Sequence, residues 1–134
     1  MIKQDPFELH LRPFWFGLAY CLLLAVAILS LTPAVPNVGG SDKLGHFLVY
    51  AVLSIAFSLI IRQRKTLWRI LFGLISFGIL MECLQGLTAY RYADPEDALA
   101  NSVGVVFGLL LHFSPMRGVL LKMDSRLHRL RLLW

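Results

Sequence analysis

The sequence predicts an all-α protein: an integral membrane bundle of four transmembrane helices with a C-terminal amphipathic surface helix. Three observations point there. Hydrophobic residues make up 57% of the 134-residue chain and charged ones only 16%, and mean hydropathy is +0.68, whereas soluble domains are ~45–50% apolar. Four apolar runs, at about residues 14–32, 44–61, 67–87 and 98–116, approach the ~20 residues with which a helix crosses ~30 Å of hydrocarbon. The stretch 117–134 then turns to interleaved arginine and leucine. One membrane domain over 1–134 accommodates all of this.

Met1 to Pro13 carries Lys3, Asp5, Glu8 and Arg12 and reads as an irregular or interfacial lead-in. Phe14 to Leu31 then runs 18 residues without a charge. That exceeds the ~7–15-residue core of a signal peptide, and Thr32-Pro33-Ala34-Val35-Pro36 lacks a small-x-small cleavage site, so the run is read as a retained span. Pro33, Pro36, Gly39 and Gly40 predict a turn, because proline cannot continue a helix.

Ser41-Asp42 suits the start of the second span as an N-cap pair. Lys43, His46 and Tyr50 follow at i, i+3 and i+7 and share one stripe. His46 can bond a neighbouring carbonyl or belong to a polar site. Arg62, Arg64, Lys65 and Arg69 predict a basic loop beside lipid headgroups.

In the third span Glu82 and Gln85 lie three apart on one face, with Glu82 on the order of 10 Å below the surface at ~1.5 Å rise per residue. Such a glutamate needs a partner. Asp97 is expected to cap the fourth span, where Asp97, Asn101, Gly104 and Gly108 recur at intervals of 4, 3 and 4. Gly104 and Gly108 form a G-x-x-x-G, which lets helix backbones approach closely and predicts helix packing. In the tail, Leu120, Met123, Leu127, Leu130 and Trp134 alternate with Arg117, Lys122, Arg126, Arg129 and Arg131, as in a helix lying along a membrane.

The two cysteines, Cys21 and Cys83, show no C-x-x-C or metal spacing and read as small buried hydrophobes. The net charge of +5 comes from basic residues at the ends of apolar runs, which argues for membrane lipids rather than nucleic acid as partner. No H-x-x-x-H pairing accompanies His46, so no metal or other cofactor is expected. With four spans, eleven lysines and arginines fall on one side and Lys43 and Arg91 on the other, so the positive-inside rule predicts a multi-pass inner-membrane protein with both termini cytoplasmic. The oligomeric state is left open, a homo-oligomer included.

That orientation gathers Asp42, Lys43, His46, Tyr50, Glu82, Gln85, Arg91, Asp97 and Asn101 at the outer ends of three spans. Ionisable groups in hydrocarbon mark a functional site by default. A structural clasp in which Arg91 pairs with Glu82 or Asp97 is one reading. A pocket for an outer-leaflet headgroup is the other.

The ordered set E-x-x-Q at Glu82 and Gln85, Arg91, then D-x-x-x-N-x-x-G-x-x-x-G from Asp97 to Gly108, preceded by D-K-x-x-H-x-x-x-Y from Asp42 to Tyr50, resembles the VanZ-like family of small bacterial membrane proteins. The resemblance spans roughly Asp42 to Phe113 and leaves the basic tail outside. Tyr92-Ala93-Asp94-Pro95-Glu96 is more acidic than the short turn the family suggests, which leaves Asp94 and Glu96 without an implied role. The resemblance implies a cell-envelope protein whose namesake is associated with low-level resistance to the glycopeptide teicoplanin. Two functions follow as expectations. One is a non-catalytic protein that binds or shields a lipid-linked cell-wall precursor or a lipoglycopeptide. The alternative is an intramembrane enzyme on an envelope lipid or glycan, with Glu82 or His46 as acid-base, Asp97 as a further candidate catalytic residue and Arg91 stabilising developing charge.

Overall fold

The computed structural model describes residues 9–33, 42–61 and 63–132. These form five α-helices and one 3₁₀ turn: α1 Arg12–Leu31, α2 Asp42–Ile60, α3 Arg64–Gln85, α4 Pro95–Leu110 continued by the turn Leu111–Phe113, and α5 Met116–Arg131. There is no strand among the described residues. The first three helices, and α4 together with its 3₁₀ turn, are each long and apolar enough to cross a membrane. Most of the lead-in, the proline-glycine turn after Pro33, the Ser41 cap and Trp134 lie outside the described residues.

α2 is the spine. Its contact with α4 is the most extensive in the bundle, with α3 against α4 next. The reason is the glycine stripe: a Cβ at Gly104 would strike the Phe47 carbonyl, and one at Gly108 would strike the Ala51 carbonyl. Ser54 Oγ uses this proximity to donate to the Val105 carbonyl at 2.8 Å. Hydrogens at positions 104 and 108 therefore bring two backbones into contact, which larger residues would hold apart.

The core between the helices is narrow, centred on Tyr50, Leu53, Phe57, Leu74 and Val105. Leu24, Ile28, Leu29, Trp68, Phe72 and Leu99 instead point outward and are largely exposed. Apolar surface on this scale does not suit water; it suits lipid. Cys21 and Cys83 belong to that outer surface, so the expectation of buried cysteines is wrong: each falls on the lipid-side arc of its helix.

Two local expectations are corrected. α3 begins at Arg64, so Arg64 and Lys65 occupy its first turn and not a loop, with Arg69 in the helix near its start as the apolar run implies, while Arg62 lies outside the described residues. α4 begins at Pro95 with Asp94 as its N-cap, the Asp94 carboxylate accepting from Glu96 N at 2.8 Å. Asp97 thus sits inside the first turn, because proline is favoured as the first helical residue and the aspartate before it can cap.

At the opposite end of the bundle, α5 turns Leu120 and Leu121 toward the core while Val119, Met123 and Leu130 stay exposed. Between them Asp124, 1% exposed, accepts from His10 N at 2.6 Å, Leu11 N at 2.9 Å and Trp15 Nε1 at 2.8 Å. The residues just before α1 are therefore anchored to α5 by a carboxylate that takes up backbone N–H groups at the helix start. Burial alone would push this carboxyl up, but the Trp15 indole and the two backbone donors hold it below the usual carboxylate range. His10 and His128 stack beside it, ring centroids 4.6 Å apart.

Candidate functional site

The other end holds the polar cluster, with residues from α2, α3, α4 and the α3–α4 turn. Glu82 is 4% exposed, Asp97 8% and Asn101 1%. Tyr50 and Gln85 are buried too. Gly78 makes room for Tyr50 and Asn101, since a Cβ there would lie 3.1 Å from the Tyr50 ring and 3.2 Å from the Asn101 side chain. Neither Gly78 nor its role stands out in the sequence, where it is one glycine in an apolar run.

His46 is the hub. Its Nδ1 lies 3.1 Å from Asn101 Oδ1 and 3.6 Å from Glu82 Oε1. Its Nε2 lies 3.5 Å from Asp97 Oδ2 and 3.8 Å from Asp42 Oδ1. Asn101 Nδ2 in turn donates to Glu82 Oε1 at 3.5 Å, and Asp94 N donates to Glu82 Oε2 at the same distance. Glu82 is thus held by long bonds only. Tyr50 Oη and Asp97 Oδ1 are buried without a hydrogen-bond partner.

Lys43, and not Arg91, makes the ion pairs with the acids of this end. Lys43 Nζ reaches Glu96 at 2.8 Å, Asp94 at 3.2 Å and Asp97 Oδ1 at 3.7 Å. This gives Asp94 and Glu96 a role: they hold the start of α2 to the start of α4. The Glu96 N–H and the Lys43 ammonium keep the Asp94 carboxyl below its ordinary range. Arg91, half-buried, has no carboxylate within ion-pairing distance among the described residues, and its Nε is buried without a partner. The clasp therefore runs through Lys43, because the hairpin turn leaves Arg91 outside ion-pairing reach of Glu82 and Asp97.

Arg91 instead lines a lateral groove between α1 and α2, a space of about 440 Å³ walled by Leu22, Val26, Leu29, Leu48 and Val52. Asp42, His46, Gln85 and Arg91 supply its polar end. Gln85 Nε2 donates to the Ser30 carbonyl at 2.8 Å and Tyr90 Oη to the Leu31 carbonyl at 2.6 Å, which satisfies carbonyls left over at the end of α1. Gln85 thus fixes one wall of the groove.

A family model described as VanZ/LLP1 matches residues 3–122. The chain belongs to the VanZ/LLP1 family. The match is longer than the stretch carrying the sequence resemblance: it takes in α1 and the first part of α5, so the tail is not wholly outside the VanZ/LLP1 pattern. With four apolar helices, membership makes this a VanZ-like membrane protein. No curated protein and no solved structure matches the chain.

Proposed function

We propose that the polar end of the α1–α2 groove receives the anionic headgroup of an envelope lipid, in the first instance a lipid-linked cell-wall precursor, while the groove takes its chain. The observation that carries this is Arg91: a guanidinium with a buried, unpartnered Nε at the end of an apolar groove. Guanidinium is suited to phosphate through paired donors. A buried donor without a partner costs about 1–3 kcal/mol, which a phosphate oxygen would recover. Lys43 is already taken by three carboxylates, so the anion falls to Arg91 alone.

In this reading the protein lies in the inner membrane with both termini cytoplasmic, and the groove opens to the outer leaflet, where such lipids arrive laterally. By shielding the precursor it would lower exposure to a glycopeptide such as teicoplanin. The test is native mass spectrometry of the purified protein with a polyprenyl diphosphate, phosphatidylglycerol and phosphatidylcholine. Wild type should retain the diphosphate preferentially, and Arg91→Ala should reduce retention about tenfold. Equal retention of phosphatidylcholine, or no change in Arg91→Ala, would sink the proposal.

A catalytic reading is favoured by one observation, the loosely held Glu82 facing His46 at 3.6 Å. In that case Glu82→Gln would bind the lipid normally and lose the resistance phenotype entirely. Under the shielding reading Glu82→Gln keeps most of it.

A further inference from the structure

We infer that Asp42, His46 and Asp97 form a binding site for a divalent transition ion of the zinc or manganese class. No single stretch of sequence suggests it, since Asp42 and His46 open α2 while Asp97 opens α4. The fold brings one ligand atom from each within 4.8 Å of the others.

The tautomer of His46 carries the first step. Asn101 Nδ2 donates to Glu82, so Asn101 Oδ1 is left to accept, and His46 Nδ1–H donates to it at 3.1 Å. The Nε2 lone pair then faces two carboxylate oxygens, Asp97 Oδ2 and Asp42 Oδ1. Three acceptors converge there, and only a positive guest can hold them together.

A proton is a poor guest for this geometry. Charge-assisted N–H···O bonds close to about 2.7–2.9 Å, whereas the two separations are 3.5 and 3.8 Å. For a metal the two His46 separations come close: with bonds of ~2.0–2.1 Å, neighbouring ligands in a tetrahedral site lie about 3.4 Å apart, and the carboxylate oxygens, within 4.8 Å of each other, would close on the ion by rotation of the half-exposed Asp42 side chain. Asp97 presents Oδ2 to this point and Oδ1 to Lys43, so the lysine and the ion do not compete for one oxygen. The Asp97 carboxylate is also short of partners, 8% exposed with Oδ1 making no hydrogen bond.

The surroundings complete the arrangement. A ligating histidine is normally oriented by a hydrogen bond from its other ring nitrogen, and Asn101, with Glu82 behind it, supplies this. One imidazole and two carboxylates suit zinc or manganese better than the harder magnesium or the thiol-seeking ions. Three protein ligands also leave a position for water or an incoming oxygen. Asp42 and His46 both line the α1–α2 groove, so a lipid phosphate could take that position. This last step rests on the headgroup reading, while the ion site does not.

The test uses untagged, chelator-stripped full-length protein in detergent, titrated with Zn²⁺ by calorimetry and with Co²⁺ by visible absorption. Wild type should bind one ion per chain and develop the d–d bands of inner-sphere cobalt. His46→Gln should lose the bands. Asp42→Asn, whose side chain is 52% exposed and not needed for packing, should weaken zinc at least tenfold with its melting temperature unchanged. Arg91→Ala should bind zinc like wild type even where lipid retention falls, which separates failure of the ion site from failure of the lipid reading. Absence of saturable zinc binding in folded wild type overturns the inference, as does zinc affinity in a folded Asp42→Asn equal to wild type.

Discussion

Glu82 and Asp124 are both almost sealed from solvent, at 4% and 1% exposure, yet they sit at opposite ends of the bundle in different company. Asp124 receives three donors at 2.6–2.9 Å, two of them backbone N–H groups at the start of α1. Glu82 receives two donors, both at 3.5 Å, and faces a histidine ring. A buried carboxylate is tolerated when its lone pairs are met at short range. Asp124 is met in full and serves as a joint. Glu82 is met in part and lies in a cluster still able to accept charge or protons from a ligand. The difference separates a carboxylate that holds the fold from one the fold holds in reserve.

The sharpest way to break the comparison is to neutralise each carboxylate. Asp124→Asn cannot accept all three donors and should cost about 3 kcal/mol, since hydrogen bonds to a charged group contribute about 1.5–3 kcal/mol each; Glu82→Gln should cost under about 1 kcal/mol. Thermal melts in detergent decide it, and equal losses would erase the distinction.

Acid should imitate the first of these variants. The Asp124 carboxyl titrates below its ordinary value of ~3.9, so its contribution is fully present above that value and fades as pH falls through the folded-state pKa. Melting temperature should drop below about pH 4, and Asp124→Asn should lose that part of the acid dependence. An unchanged acid limb in the variant would assign it elsewhere.

Trp15→Phe keeps an aromatic side chain but removes one donor from Asp124 and part of the ring system, for a loss of about 1.5 kcal/mol or more. The smallest effect belongs to the polar end: Lys43→Gln removes three ion pairs, but Lys43 is half exposed, and solvent-screened pairs contribute little, so its loss should be the least of the series. A loss from Lys43→Gln larger than that from Trp15→Phe would show that the polar end is structural after all.

How much of this was legible in the sequence depends on the range of the signal. The helices are local, written in apolar runs: α1, α2 and α3 begin and end within three residues of those runs, whereas α4 stops at Leu110, six residues before its run does. The face shared by Asp97, Asn101, Gly104 and Gly108 follows from helical spacing. Asp94-Pro95 also carried a readable signal, a cap followed by a favoured first residue, and reading it would have placed the start of α4 correctly. Asp124 carried none: between Lys122 and Arg126 it looks like one more surface charge, and its donors are over a hundred residues away. That Lys43 and not Arg91 meets the acids was equally hidden, because the direction of a hairpin turn decides which cation reaches them.

Gly104 and Gly108 have a consequence beyond packing. The distances that define the polar cluster, from His46 on α2 to Asn101 and Asp97 on α4, are gaps between two rods, and what sets the gap is the missing side chains one and two turns further along. A methyl group added at position 104 would touch no polar atom of the cluster, yet it would pry the rods apart and lengthen its separations. The chemistry of this end of the molecule is calibrated by two hydrogen atoms that take no part in it.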